Sequence, residues 1–277
     1  MKTISAHGAT IPALGFGTFR MEAADVLRIV PAALNLGFRH IDTAQIYRNE
    51  AAVGEAIAGS GVARGDIFLT TKVWIDNFAP GRFEASVEES LAKLRTDHVD
   101  LLLLHWPNGS VPLADQIGAL NAVREAGKTR HIGVSNYTIA LLAQAQALSP
   151  APLVTNQVEY HPYLDQSRLM AAMRAAGMAL TAYYAMADGK VFVDPLLADI
   201  AARHRRSIAQ IVLRWLVQQE GVVALSKTVS EDRARDNAAI FDFALDDSEM
   251  AAIHALAAPD GRVLKPDGLS PVWDVAA

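Results

Sequence analysis

Along the chain, short apolar runs alternate with stretches whose apolar residues return every three or four positions. The runs Phe38–Asp42, Ile67–Lys72, Val99–His105, His131–Ser135, Thr155–Val158, Leu180–Tyr184 and Val222–Leu225 have strand length, and Gly15–Thr18 reads as a weaker first strand. Helix-sized segments lie between them: Ala24–Leu36, Glu50–Ala58, Gly81–Leu94, Leu113–Ala126, Ile139–Leu148, Gln166–Ala176 and Ser207–Gln219. The last begins at a serine and carries Ile208, Ile211, Val212, Trp215 and Leu216 on one face. Gly37, Gly127 and Gly177 each follow a helical stretch and precede a strand, as C-terminal stops do.

Repeated strand–helix units without a linker predict parallel βα pairing in one domain spanning 1–277. An open doubly wound sheet would carry a G-x-G-x-x-G turn early on, but Gly15-Phe16-Gly17 is followed by Thr18-Phe19-Arg20 and lacks the third glycine. A closed (β/α)8 TIM barrel is the expectation. Thr3–Ile11, centred on His7-Gly8, predicts a hairpin within residues 1–12 that covers the barrel floor. After Leu256 the chain becomes irregular around Gly261, Pro266, Gly268 and Pro271. Trp273 predicts that this tail, 258–277, docks over the active-site face.

Composition narrows the picture. With 51% apolar residues the chain can bury a large core, and without cysteine it has neither disulfides nor thiolate metal ligands. The net charge of −5 and the absence of a basic block argue against a nucleic-acid partner. No signal-peptide pattern and no membrane-length apolar run stand out, so a cytoplasmic protein without a membrane partner is expected.

In such a barrel the chemistry sits where strands end. Successive apolar runs end in Asp42, Lys72 and His105, and Tyr47 follows Asp42 by five residues. Singly, these are a turn aspartate, a rim lysine, a core histidine and a packing tyrosine. Together they are the parts of an acid–base relay. A phenol with a pKa of about 10 is a reluctant acid, and the Lys72 ammonium is expected to lower that pKa, with Asp42 keeping the ammonium charged. His105 would orient a carbonyl. No side chain here donates electrons, so reduction needs a cofactor. Lys227-Thr228-Val229-Ser230-Glu231-Asp232-Arg233-Ala234-Arg235-Asp236-Asn237 follows the last strand. A helix starting near Ser230 would bring Lys227, Thr228 and Arg233 around a phosphate monoester, such as the 2′-phosphate of NADPH.

These segments resemble the aldo-keto reductase family. The resemblance is carried by Gly37-Phe38-Arg39-His40-Ile41-Asp42-Thr43-Ala44-Gln45-Ile46-Tyr47-Arg48-Asn49-Glu50, His105-Trp106-Pro107, Gly133-Val134-Ser135-Asn136, Asn156-Gln157-Val158-Glu159-Tyr160-His161-Pro162 and the Lys227–Asn237 run. It implies Tyr47 as general acid tuned by Lys72 and Asp42, with His105 orienting the carbonyl. It also implies Ser135, Asn136 and Gln157 on the nicotinamide carboxamide and Tyr183 stacked on the ring. Lys227, Thr228 and Arg233 would take the 2′-phosphate, Asp236 and Asn237 would face the adenine, and Gly17, Thr18, Asp42 and Val229 would complete the NADPH/NADP+ contact. A monomer acting on a small carbonyl substrate follows from the same resemblance.

Within the family, Ala51-Ala52-Val53-Gly54, Leu94-Arg95-Thr96-Asp97 and Leu269-Ser270-Pro271-Val272-Trp273-Asp274 are similar to reductases of 2,5-diketo-D-gluconate and methylglyoxal. The pattern departs after strand seven, where Tyr183-Tyr184-Ala185-Met186-Ala187-Asp188-Gly189-Lys190 replaces the Tyr-Ser-Pro-Leu of many relatives. Phe19, Ile46, Trp74, Trp106 and Trp273, with His105, are expected to wall the substrate pocket. Arg20, Lys190, Arg262 and Lys265 are candidate partners for a substrate carboxylate. Two other readings stay open: a metal-dependent barrel hydrolase using His40, Asp42, His105 and His161, and a non-catalytic NADPH-binding regulatory subunit.

Overall fold

The computed structural model describes residues 2–107 and 109–274; Met1 and residues 275–277 of the expected hairpin and tail segments lie outside the described residues. Eight strands close into a parallel barrel: β3 (Leu14–Gly17), β4 (His40–Asp42), β5 (Phe68–Val73), β6 (Val99–Leu104), β7 (Thr129–Ser135), β8 (Leu153–Glu159), β9 (Ala179–Tyr183) and β10 (Val222–Ser226). They follow one another round the ring in chain order, and β10 pairs back onto β3. The (β/α)8 TIM barrel is therefore the fold. Its strands are buried almost throughout, as expected where helices cover the outside and side chains fill the inside.

The outer layer holds α1 (Ala23–Asn35), α2 (Glu50–Gly59), α3 (Arg82–Leu94), α4 (Leu113–Glu125), α5 (Ile139–Leu148), α6 (Ser167–Ala175), α7 (Pro195–His204), α8 (Ile208–Gln218), α9 (Glu231–Ala238) and α10 (Asp247–His254). α7 and α10 are additional to the helices expected from periodicity. Both carry start signals: Asp194 caps the Leu196 and Leu197 N–H groups ahead of Pro195, and Asp246 with Glu249 forms a capping box.

The hairpin is β1 (Thr3–Ala6) paired antiparallel with β2 (Ala9–Pro12). Its two turn residues, His7 (φ 46°) and Gly8 (φ 84°), are both left-handed, as a tight hairpin turn requires. His7 Nε2 lies 2.7 Å from the Ala176 carbonyl, just ahead of β9, so the hairpin sits at the N-terminal end of the barrel. Asp100 of β6 works at that same end, accepting from Arg64 Nη1 at 2.9 Å and the Leu69 N–H at 2.9 Å. The opposite rim, where Asp42, Lys72 and His105 emerge, is left to the loops and the tail.

Candidate active site

Lys72 leaves β5 with no solvent exposure. Its ammonium has three protons and donates to three acceptors: Asp42 Oδ1 at 2.5 Å, the Thr43 carbonyl at 2.9 Å and Tyr47 Oη at 3.3 Å. A buried charge is tolerated only when paired and hydrogen-bonded in this way. Asp42 Oδ2 accepts from Gln157 Nε2 at 2.7 Å, which ties β4 across the barrel to β8. Tyr47 closes a 3-10 turn, Gln45–Tyr47, ended by left-handed Arg48.

The expected lowering of the Tyr47 pKa is not what the structure shows. Burial first, and then the Asp42 charge, push the phenol well above its ordinary range. The reason is that the ammonium is already compensated by Asp42, which it contacts more closely than the phenol. The phenol is thus held protonated near neutral pH. Burial also lowers the Lys72 pKa, with Asp42 opposing.

His105 is 7% exposed, and burial followed by the Lys72 charge holds its pKa well below the usual imidazole range. It is neutral near pH 7. Its Nδ1 is buried without a hydrogen-bond partner among the described residues, which favours the tautomer with the proton on Nε2. Its ring lies edge-on to Tyr47, with centroids 5.6 Å apart, and to Trp74 at 5.3 Å. Phe19 lies 5.0 Å from Tyr47 on the other side. Trp106 pairs with Trp273 of the tail at 6.3 Å, so the tail reaches the rim. Ile46 is half-buried beside Tyr47 in the turn.

A second polar group lines the rim from β7 to β9. Ser135 Oγ donates to the Gln157 carbonyl at 2.7 Å. Asn136, left-handed at φ 65°, donates to Ser135 Oγ and the His105 carbonyl, each at 3.1 Å, and accepts from Tyr183 Oη at 2.6 Å. Thr18 is buried with its hydroxyl on the Asp42 carbonyl at 3.1 Å, so it supports the Asp42 backbone. A Cβ at Gly17 would meet protein no nearer than 3.8 Å, so the fold itself does not demand glycine there.

At the end of β10, Lys227 and Arg233 are exposed and pair with no carboxylate among the described residues. Ser230 Oγ accepts the Arg233 N–H at 3.4 Å as N-cap of α9, and Thr228 Oγ1 accepts the Ser230 N–H at 3.1 Å. Val229 is 40% exposed, and its carbonyl accepts from Arg28 at 2.7 Å. Asp236 is exposed, whereas Asn237 is buried and donates to Ser226 Oγ at 2.9 Å, anchoring α9 to β10.

Three residues outside the sequence-based assignment shape this rim. Gln45 accepts from the Trp74 N–H at 2.9 Å and Asn77 Nδ2 at 2.8 Å, while its own amide donates to Ser86 and Ser90. Asn49 Nδ2 donates to the carbonyls of Thr18 at 2.9 Å and Met21 at 3.2 Å, joining two rim loops. Glu159 is fully buried at the end of β8. Its signal in the sequence is a carboxylate two positions after Gln157, on the same face of one strand.

The four residues of the hydrolase reading do not converge. His40 Nε2 bonds Thr70 Oγ1 at 3.0 Å and His161 Nε2 bonds Glu159 at 2.9 Å. Among the described residues no three His, Asp or Glu side chains are grouped to hold a metal ion. Nor is any described helix long and apolar enough to cross a membrane.

Comparison with known proteins agrees with this geometry. The sequence pattern of the Aldo/keto reductase family matches residues 13–258. Methylglyoxal reductase DkgB of Salmonella typhimurium is 44% identical over 268 residues, covering 96% of this chain and 100% of that protein. A glyoxal reductase of Bacillus subtilis is 39% identical, with 92% of each chain covered. A crystal structure bearing the name 2,5-diketo-D-gluconic acid reductase B superposes with a TM-score of 0.98 at 62% identity, covering 99% of this chain and 98% of that one. A Bombyx mori aldo-keto reductase solved in complex with NADP has a TM-score of 0.86 at 32% identity over 92% of each chain.

Proposed function

The chain belongs to the aldo/keto reductase family of oxidoreductases, and from that premise we propose that it reduces small aldehydes, α-dicarbonyls or keto-sugars to alcohols with NADPH, Tyr47 being the general acid. The observation that carries this reading is the buried ammonium of Lys72 touching both Asp42 and the Tyr47 hydroxyl. The names of the relatives, methylglyoxal and glyoxal reductase and 2,5-diketo-D-gluconic acid reductase B, support the substrate class.

The residues present suit a nicotinamide cofactor. Ser135, Asn136 and Gln157 form a linked polar edge beside Asp42, and Tyr183 stands next to it. Lys227 and Arg233 leave two cations available to a phosphate at the N-terminus of α9. NADPH, when bound, supplies the hydride. The protein does the rest. Phe19, Trp74, Trp106 and Trp273, with Ile46, exclude water around the carbonyl. The neutral His105 offers Nε2–H to the carbonyl oxygen and turns it towards Tyr47. As negative charge grows on that oxygen, the Tyr47 Oη proton moves to it, and Lys72 is in place to stabilise the phenolate left behind. Among the candidate cations, Arg262 is paired with Glu159, whereas Arg20 lies 4.9 Å over the Phe19 ring and is placed to meet a substrate carboxylate. The reading takes the enzyme to be a cytoplasmic monomer built as one barrel domain.

Tyr47→Phe tests the assignment. Turnover of methylglyoxal should fall at least ~100-fold while NADPH binding, followed by fluorescence, persists. Normal turnover in that variant would remove Tyr47 from its role. A wild-type chain that binds NADPH but turns over no carbonyl would favour the regulatory-subunit reading.

A further inference from the structure

Glu159 is a carboxylate with no solvent exposure, placed at the rim but not in contact with the Lys72 network. Its partners lie largely in the C-terminal tail. Oε1 accepts the Val263 N–H at 2.6 Å and His161 Nε2 at 2.9 Å. Oε2 accepts the Leu264 N–H at 3.1 Å and Arg262 Nη1 at 3.5 Å. Two consecutive backbone amides of an irregular segment are thus held by one side chain from the barrel. The Arg262 guanidinium in turn lies 3.6 Å over the Trp273 ring, and Trp273 meets Trp106. The segment before this point is also pressed onto the barrel: the Ala258 N–H donates to the Tyr163 carbonyl at 3.1 Å, and a Cβ at Gly261 would fall 1.7 Å from that same oxygen.

We propose that Glu159 is a positioning residue, whose carboxylate pins Arg262–Leu264 to the end of β8 and so holds Trp273 as the tail-side wall of the substrate pocket. It acts on substrate binding and leaves proton transfer at Tyr47 alone. The proposal rests on the carbonyl-reductase reading for its kinetic consequence, but the anchoring of the tail stands apart from it. Four donors converge on Glu159, so an isosteric amide would turn an N–H group towards at least one of them and release the tail.

The experiment is Glu159→Gln in the full chain, assayed with NADPH and an aromatic aldehyde such as 4-nitrobenzaldehyde. KM should rise about 10-fold with kcat within about twofold of wild type, because the lost contact is uniform binding. Trp273→Ala should raise KM by a similar factor. The double variant should be no worse than either single one, since both break the same wall. Limited trypsin digestion should cut after Arg262 faster in Glu159→Gln, and Glu159→Asp should restore part of the protection. Val263→Pro removes one of the donors from the tail side without touching the barrel, and should show the same KM rise if Glu159→Gln fails to fold. A fall in kcat at unchanged KM, or additive effects of Glu159→Gln and Trp273→Ala, would overturn the proposal. If wild type reduces no carbonyl, the function fails, and the trypsin comparison still decides the anchor. Unchanged digestion would then overturn it.

Discussion

His40 stands two residues before Asp42 on the same strand, yet it faces structure and not chemistry. Its Nε2 is 3.0 Å from Thr70 Oγ1, and a Cβ at Gly15 would lie 2.7 Å from its Nδ1. Burial lowers its pKa to about 4, against the partial opposition of Asp42. Above pH 6.5 the imidazole is neutral in both folded and unfolded chains, and its contribution to stability is complete. As pH falls from 6.5 to about 4, the unfolded chain takes a proton that the native one refuses, and stability is lost; below that window the loss is complete. The gap corresponds to roughly 3 kcal/mol. Urea denaturation at pH 7.5 and pH 4 should therefore show wild type losing about that much more than His40→Gln, and parallel pH profiles would refute it. Residues of this kind divide what the sequence discloses from what it hides. Asp42, Lys72 and His105 are legible because each ends an apolar run, and the position of Tyr47 follows from its motif. The roles of Gln45 and Asn49 are not, because each joins loops remote in sequence and neither breaks a pattern. The direction of the Tyr47 shift is hidden for a related reason: it is set first by how deeply the phenol is buried and then by the Asp42 charge beside it, neither of which the local sequence displays.

At the scale of elements, periodicity locates nearly every strand and most helices to within one or two residues. The departures, even small ones, are instructive. β8 extends one residue beyond the expected end at Val158, and that residue is Glu159, a charged side chain that polarity alone assigns to a loop. α7 and α10 are short, and they announce themselves by their caps more than by an apolar stripe. What the sequence does not disclose is how closely elements approach. Gly54 of α2 faces the end of α3, where an added Cβ would lie 2.5 Å from the Lys93 carbonyl oxygen and 2.6 Å from the Leu94 carbonyl carbon. Both are backbone atoms and cannot swing aside. Alanine would gain roughly 1 kcal/mol of helix propensity over glycine. Overpacking costs about 1–3 kcal/mol, and a backbone clash of this depth belongs at the upper end. Gly54→Ala should therefore lower the urea midpoint with the m-value unchanged, and a midpoint equal to wild type would show that the two helices can separate freely.

For the molecule as a whole, the barrel sets Asp42, Lys72 and His105 on one side of its rim and the β10–α9 turn at the seam where the ring closes, so a ligand bridging the two should stabilise the entire fold. The proposed cofactor is such a ligand. One that binds only the native state, present at a hundred times its Kd, adds about 2.7 kcal/mol. In a protein of this size that is a rise in Tm of roughly 5 °C. On that proposal, the exposed cations Lys227 and Arg233 would distinguish NADPH from NADH only through the 2′-phosphate. A charge-assisted contact of that kind contributes about 1.5–3 kcal/mol, or roughly 10- to 100-fold in Kd. Arg233→Ala should consequently bring the NADPH-induced rise in Tm down towards that of NADH at equal concentration, while the smaller NADH shift stays as it is in wild type. Thermal melts of both chains with each nucleotide decide the matter. Equal loss for both nucleotides would mean that Arg233 serves the fold, or a part of the cofactor common to both, and that the phosphate is held elsewhere.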